Sequence, residues 1–144
     1  ILSAVKSKIT GLPIVGIVLQ PASGSTLNIV PLGSQSHTYV PESYVQQIMN
    51  AGALPVLIPF DLNQVMLDKL LSATDMLFIP GGPADLVNSN GEPTKYQERV
   101  HLMIQRGVQR NQKGEYYPIL ATCLGFENVV ISFAKQNISI LQSG

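Results

Sequence analysis

Four short apolar runs, separated by stretches with helical spacing, constrain this chain more than any other feature. Pro13 opens Ile14-Val15-Gly16-Ile17-Val18-Leu19, a continuous run rich in β-branched residues. Leu54 to Pro59, Met76 to Ile79 and Tyr117 to Thr122 are runs of the same kind. A short continuous apolar run suits a strand buried on both faces, as in a parallel sheet. Between the runs, Tyr39 to Ala51, Asp61 to about Ser72 and Tyr96 to about Gln109 carry apolar side chains at helical spacing. That spacing resumes at Phe126, Val129, Val130 and Phe133. The alternation predicts an α/β domain: a doubly wound, mainly parallel sheet with helices on both faces.

Punctuation refines the prediction. The two prolines of Leu54 to Pro59 argue for an irregular or edge strand. Gly52 stands where a helix C-terminal glycine is expected, and Asp61 is placed to cap the next helix. Residues 20–38 and 84–95 are polar and rich in turn formers, so both read as loops. Residues 1–12 are a weakly patterned lead-in. Ile138 to Leu141 alternates and reads as one more strand, cut from whatever follows it.

Composition excludes several classes of function. Hydrophobic residues make up 45% of the 144 and charged residues 12%, which is too apolar for a disordered tail. Nine basic residues balance nine acidic ones, so nucleic acid and anionic membrane find no electrostatic footprint. No apolar run approaches the ~18 residues of a membrane helix. One cysteine allows no internal disulfide. Two histidines and that cysteine, far apart, give no zinc spacing, and neither metal nor cofactor is expected. The chain starts at Ile1 without a leader, so the expectation is that a leader was removed or that the sequence is part of a longer chain.

In open α/β sheets, ligands bind beyond the carboxyl ends of the strands. Two features fall there: Pro80-Gly81-Gly82-Pro83 after the third run, and Thr122-Cys123-Leu124-Gly125 after the fourth. A residue between a strand and a helix sits on a sharp turn, exposed at the positive end of the helix. Ala121 and Gly125, two residues either side of Cys123, are small enough to let that turn close. A thiol there is favoured as the nucleophilic thiolate. The Leu124 N–H points the same way, and the glycine pair offers a second donor to a developing oxyanion. Singly, a cysteine after a strand is a small buried hydrophobe and Gly-Gly-Pro is a turn. Their joint placement at neighbouring strand ends shifts the reading toward function.

Leu120-Ala121-Thr122-Cys123-Leu124-Gly125-Phe126-Glu127 resembles the nucleophile elbow of the gamma-glutamyl hydrolases. These belong to the class I glutamine amidotransferase-like superfamily, whose fold is flavodoxin-like. Residues 13–20, Ser43-Tyr44-Val45 with Ala51-Gly52-Ala53, residues 77–82 with Asp85-Leu86, and Tyr116-Tyr117-Pro118 are similar to the family in the same order. The resemblance implies that residues 1–144 are the N-terminal part of a single amidotransferase-like domain, incomplete at its C-terminal end. It implies that Cys123 attacks a γ-glutamyl amide carbonyl to form an acyl-enzyme. Gly82 and Leu124 would supply the oxyanion N–H groups, supported by Gly81, Ala121 and Gly125. It further implies a cysteine-type omega peptidase acting on folate poly-γ-glutamates, lysosomal, vacuolar or secreted.

Two departures stand out. The family commonly has glycine at the position of Ala121. Its catalytic histidine, with an orienting glutamate, lies in a downstream His-x-Glu segment, and none of the 21 residues after Cys123 is histidine. The local histidines are His37, read as a solvated loop residue, and His101, read as a half-buried helix residue. Glu127 reads as a favourable first-turn acid. Asn137-Ile138-Ser139 is a glycosylation acceptor pattern, in keeping with a secretory route.

The expectation is therefore that residues 1–144 alone do not turn over substrate. A second chain or a downstream segment would supply further strands and the His-x-Glu pair, against an open, apolar sheet edge. A homo-oligomer stays open. The alternatives are a non-catalytic binding or structural subunit on the same fold, and an amidotransferase-type domain passing ammonia to a synthetase.

Overall fold

The first apolar run becomes β1 (Ile14–Pro21), the strand on which the others assemble. Its interior is buried throughout, as a strand covered on both faces must be. In the computed structural model, which describes residues 11–22, 38–134 and 138–141, β1 has three partners. β3 (Leu54–Pro59) pairs with it in parallel from Ile14↔Leu54 to Leu19↔Pro59. β4 (Met76–Ile79) pairs in parallel from Val15↔Met76 to Ile17↔Phe78. β2 (Thr38–Tyr39) is short and antiparallel, setting Tyr39 opposite Gln20. β5 (Ile119–Ala121) then adds to β4 in parallel, with Phe78 beside Leu120 and Ile79 beside Ala121. β3 and β5 are the parallel strands with a single partner among the described residues.

Helices cover both faces. α1 (Glu42–Asn50) lies over one, where Ile48 packs with Val15, Ile17 and Phe78. α2 (Gln64–Ala73), α3 (Lys95–Gln112) and α4 (Leu124–Phe133) cover the other. There Leu67, Leu71, Val100, Met103, Ile104, Leu124 and Ile131 close on Val18, Leu77 and Ile79. Strand alternation separates the two cores, since Phe78 points to one face while Leu77 and Ile79 point to the other. The α/β class, the mainly parallel sheet and the two-sided helices are all as expected. No helix among the described residues is long and apolar enough to cross a membrane.

The structure corrects several boundaries. Residues 39–41 are not helical, because Pro41 stands at the N-cap and holds the preceding residue extended. Tyr39 is freed to pair in β2. α2 is capped by Asn63, whose Oδ1 accepts from Met66 N–H at 2.9 Å, and not by Asp61. The helix then turns Leu67 and Leu71 inward and leaves Val65 64% exposed, two residues off that face. Ile138–Leu141 is a 3₁₀ turn packed on α4 and not a strand. An alternating tract becomes a strand only where a partner edge is available. Gln20 and Pro21, read as loop, extend β1. The rest of that loop, residues 23–37 with His37, lies outside the described residues, as do the lead-in to residue 10 and Asn137.

The approach to the fourth parallel strand is pinned before the strand begins. Asn111 donates to the Tyr117 carbonyl at 2.7 Å and accepts from its N–H at 2.9 Å. The buried Tyr117 hydroxyl meets Thr74 Oγ1 at 2.8 Å, and the Arg110 guanidinium lies 3.9 Å from the centre of its ring. Tyr117 is thus a plug that sets where β5 starts, which is why the strand is shorter than its apolar run.

Candidate active site

β4 and β5 end side by side, and the two strand-end motifs follow directly. Thr122 N–H still bonds the Ile79 carbonyl at 3.1 Å, and the chain then turns into α4. Cys123 is the N-cap of that helix at φ 50°, ψ −122°. It is the one non-glycine with positive φ among the described residues. Its ψ takes it outside the small left-handed well open to L-residues, and such strain is characteristic of functional turns. The turn closes through Gly125 N–H to Thr122 carbonyl at 2.9 Å and Phe126 N–H to Cys123 carbonyl at 2.8 Å. Glu127 N–H also reaches the Cys123 carbonyl, at 3.2 Å. These bonds do not use the Leu124 N–H, at the positive end of α4. The Cys123 side chain is exposed.

The small residues matter through space as much as along the chain. A Cβ on Gly125 would run into the carbonyl of Ile79, 2.7 Å from its carbon. Backbone meets backbone here, so only glycine lets α4 start this close to β4. A Cβ on Gly81 would stand 2.7 Å from Cys123 Cβ and 3.4 Å from its Sγ. Gly81 therefore lies against the Cys123 side chain. Gly82 faces the other way, toward the side-chain amide of Gln20. Ala121 closes β5 beside Ile79.

Two side chains join the site that sequence reading did not place there. Tyr44, expected only as part of a helix face, holds its ring edge-on to Phe78 at 5.4 Å. Its hydroxyl lies 3.0 Å from where a Gly81 Cβ would stand. Gln20, expected in a loop, is 1% exposed. The available signals were a phenol on an apolar helix face and one amide ending an all-apolar strand.

No hydrogen bond among the described residues joins His101 to Cys123. His101 sits on α3 with Nδ1 buried and without a hydrogen-bond partner among the described residues, and burial lowers its pKa from the ordinary 6.5. Glu127 is in the first turn of α4, as expected. Chemically, the arrangement offers an exposed thiol, a helix N-terminus beneath it and a side-chain-free backbone beside it.

A family model described as Peptidase C26 matches residues 13–138. The chain is 31% identical over 129 residues to "Gamma-glutamyl hydrolase" of Rattus norvegicus, covering 90% of this chain and 37% of the relative. It is 28% identical over 117 residues to "Gamma-glutamyl hydrolase" of Homo sapiens, covering 81% and 34%. It is 32% identical over 100 residues to "Gamma-glutamyl-gamma-aminobutyrate hydrolase" of Escherichia coli O157:H7, covering 63% and 37%. The chain thus spans well under half the length of these relatives. Both strand-end motifs, with the strained cysteine and the glycines packed around it, fall inside the matched region, and the chain belongs to the Peptidase C26 family.

Proposed function

We propose that this chain carries the nucleophilic half of a γ-glutamyl hydrolase. The observation that carries the reading is Cys123 held at positive φ with Gly81 against its side chain. Cys123 Sγ attacks the γ-carbonyl carbon of a γ-glutamyl amide, and the carbonyl π electrons move to oxygen. The N–H groups of Gly82 and Leu124 receive that oxyanion. As it collapses, the C–N bond breaks and the amine leaves with a proton. Water then hydrolyses the thioester and restores the thiol.

Both proton transfers need an acid–base group, and we assign it to a His-x-Glu pair on a downstream segment or second chain. The edge strand β5 is the natural place for such a partner, because Leu120 is 47% exposed on the face that Phe78 buries under α1. Folate poly-γ-glutamates are the substrate class we propose, in a lysosomal, vacuolar or secreted protein bearing glycan on Asn137.

Trapping tests the reading. Full-length protein incubated with a γ-glutamyl substrate and quenched in acid should show a glutamyl adduct on Cys123 by peptide mass spectrometry. Cys123→Ala should show none. An adduct elsewhere, or none in the native protein under turnover, sinks the nucleophile assignment.

A further inference from the structure

Two glycines in a row have more backbone freedom than any other pair. Something must hold Pro80-Gly81-Gly82 in one conformation if its N–H groups are to face a reacting carbonyl. Cys123 lies on the Gly81 side. On the Gly82 side lies Gln20. Its Nε2 donates to the Pro80 carbonyl at 3.1 Å in a buried bond. Its amide carbon and nitrogen stand 2.7 Å from where a Gly82 Cβ would be, filling that space. The peptide unit is planar and trans, so the bond to the Pro80 carbonyl fixes the Gly81 N–H, and the Gln20 amide packed against Gly82 walls the next peptide, which carries the Gly82 N–H proposed as oxyanion donor.

Gln20 is itself held firmly. Leu19 before it pairs with Pro59, and Gln20 pairs with Tyr39. Packing alone does not account for a glutamine here. Its Oε1 is buried without a hydrogen-bond partner among the described residues, a cost that an apolar side chain would not carry, though an apolar side chain would leave the Pro80 carbonyl without this donor. What the amide adds is the bond to Pro80.

We propose that Gln20 is a positioning residue for acyl transfer, fixing the glycine-pair backbone in the orientation that faces the Cys123 thiol. The inference rests on Cys123 being the nucleophile. Gln20 does not touch the reacting atoms.

The test compares two reactions of the same thiol in the full chain. A γ-glutamyl thioester of a small thiol acylates Cys123 by transthioesterification. Sγ forms the new acyl bond and the leaving thiolate departs, so no proton donor is needed, but an oxyanion forms on the way. Iodoacetamide alkylates Sγ by displacing iodide, without an oxyanion. Loss of a direct oxyanion donor costs about 100-fold or more. For a donor left in place but misaligned by Gln20→Leu, we expect acylation to slow about tenfold, with alkylation within about twofold of native.

Gln20→Glu adds a pH signature. A carboxylate cannot donate to the Pro80 carbonyl, but a protonated carboxyl can. The acylation rate of Gln20→Glu relative to native should therefore rise as pH falls. A third arm needs no chemistry: the Gly81 and Gly82 amide resonances should shift, and their hydrogen exchange should quicken, in Gln20→Leu. Equal losses in acylation and alkylation, a flat pH ratio, or unmoved glycine amides would each overturn the proposal. Native protein that alkylates but never acylates would instead refute the γ-glutamyl reading, and the amide arm would then decide on Gln20 alone.

Discussion

The ends of β4 and β5 build the two halves of one site by opposite means. At the end of β5 a residue with a side chain is held in a backbone conformation that disfavours it, and its thiol side chain is exposed. At the end of β4 side chains are removed, because backbone has to come within contact distance of that thiol. The first half stores strain in φ and ψ. The second stores none of its own and takes its shape from neighbours, Cys123 on one side and Gln20 on the other. The proposed nucleophile and the proposed oxyanion donors thus fail by different routes. One is lost through its own residue, the other through anything that moves the walls.

The largest effect should come from joining the two halves too tightly. Gly125→Ala sets a Cβ against the Ile79 carbonyl, a backbone atom that cannot step aside. We expect a loss of about 3 kcal/mol or more in unfolding free energy, read by urea denaturation, as for severe overpacking. A loss under about 1 kcal/mol would mean that α4 does not start this close to β4.

Relaxing the strained half should do the reverse. Cys123→Gly relieves φ 50° at an exposed position where little packing is lost. A strained non-glycine residue costs on the order of 1–3 kcal/mol, and glycine's own entropy cost offsets part of that gain. The variant should therefore be more stable by about 1 kcal/mol while forming no adduct. A destabilised variant would show that the elbow is not strained.

The smallest effect asks whether α3 belongs to the site at all. Burial lowers the His101 pKa from 6.5, so below that pH the unfolded chain binds more protons than the folded one. Its contribution to stability is intact above 6.5 and is lost as pH falls. His101→Gln should flatten the decline of the urea midpoint between neutral and mildly acid pH, and leave Cys123 alkylation unchanged. A changed alkylation rate would bring His101 into the chemistry.

What was determined locally could be read from the sequence. Met76–Ile79 is an apolar run between breakers, and its strand has those same bounds. The elbow is a small-residue frame around one cysteine, and covalent spacing alone sets it at a strand–helix junction. Capping follows the same logic but needs finer geometry. Asp61 and Asn63 are both good caps, and only the path of the chain out of β3 decided for Asn63.

What depended on partners distant in sequence was decided by the tertiary structure. Ile138–Leu141 has the alternation of a strand, yet a strand needs an edge to bond, and packing on α4 made it a 3₁₀ turn. Tyr44 reaches the glycine pair because α1 crosses the sheet over Phe78. Gln20 holds Pro80 across 60 residues of chain. Hydrophobic period and turn chemistry act between neighbours in sequence, so they specified the elements and the cysteine. A hydrogen bond or a missing Cβ acts between neighbours in space, so the walls of the site came into being only when β1, β4 and β5 were laid side by side.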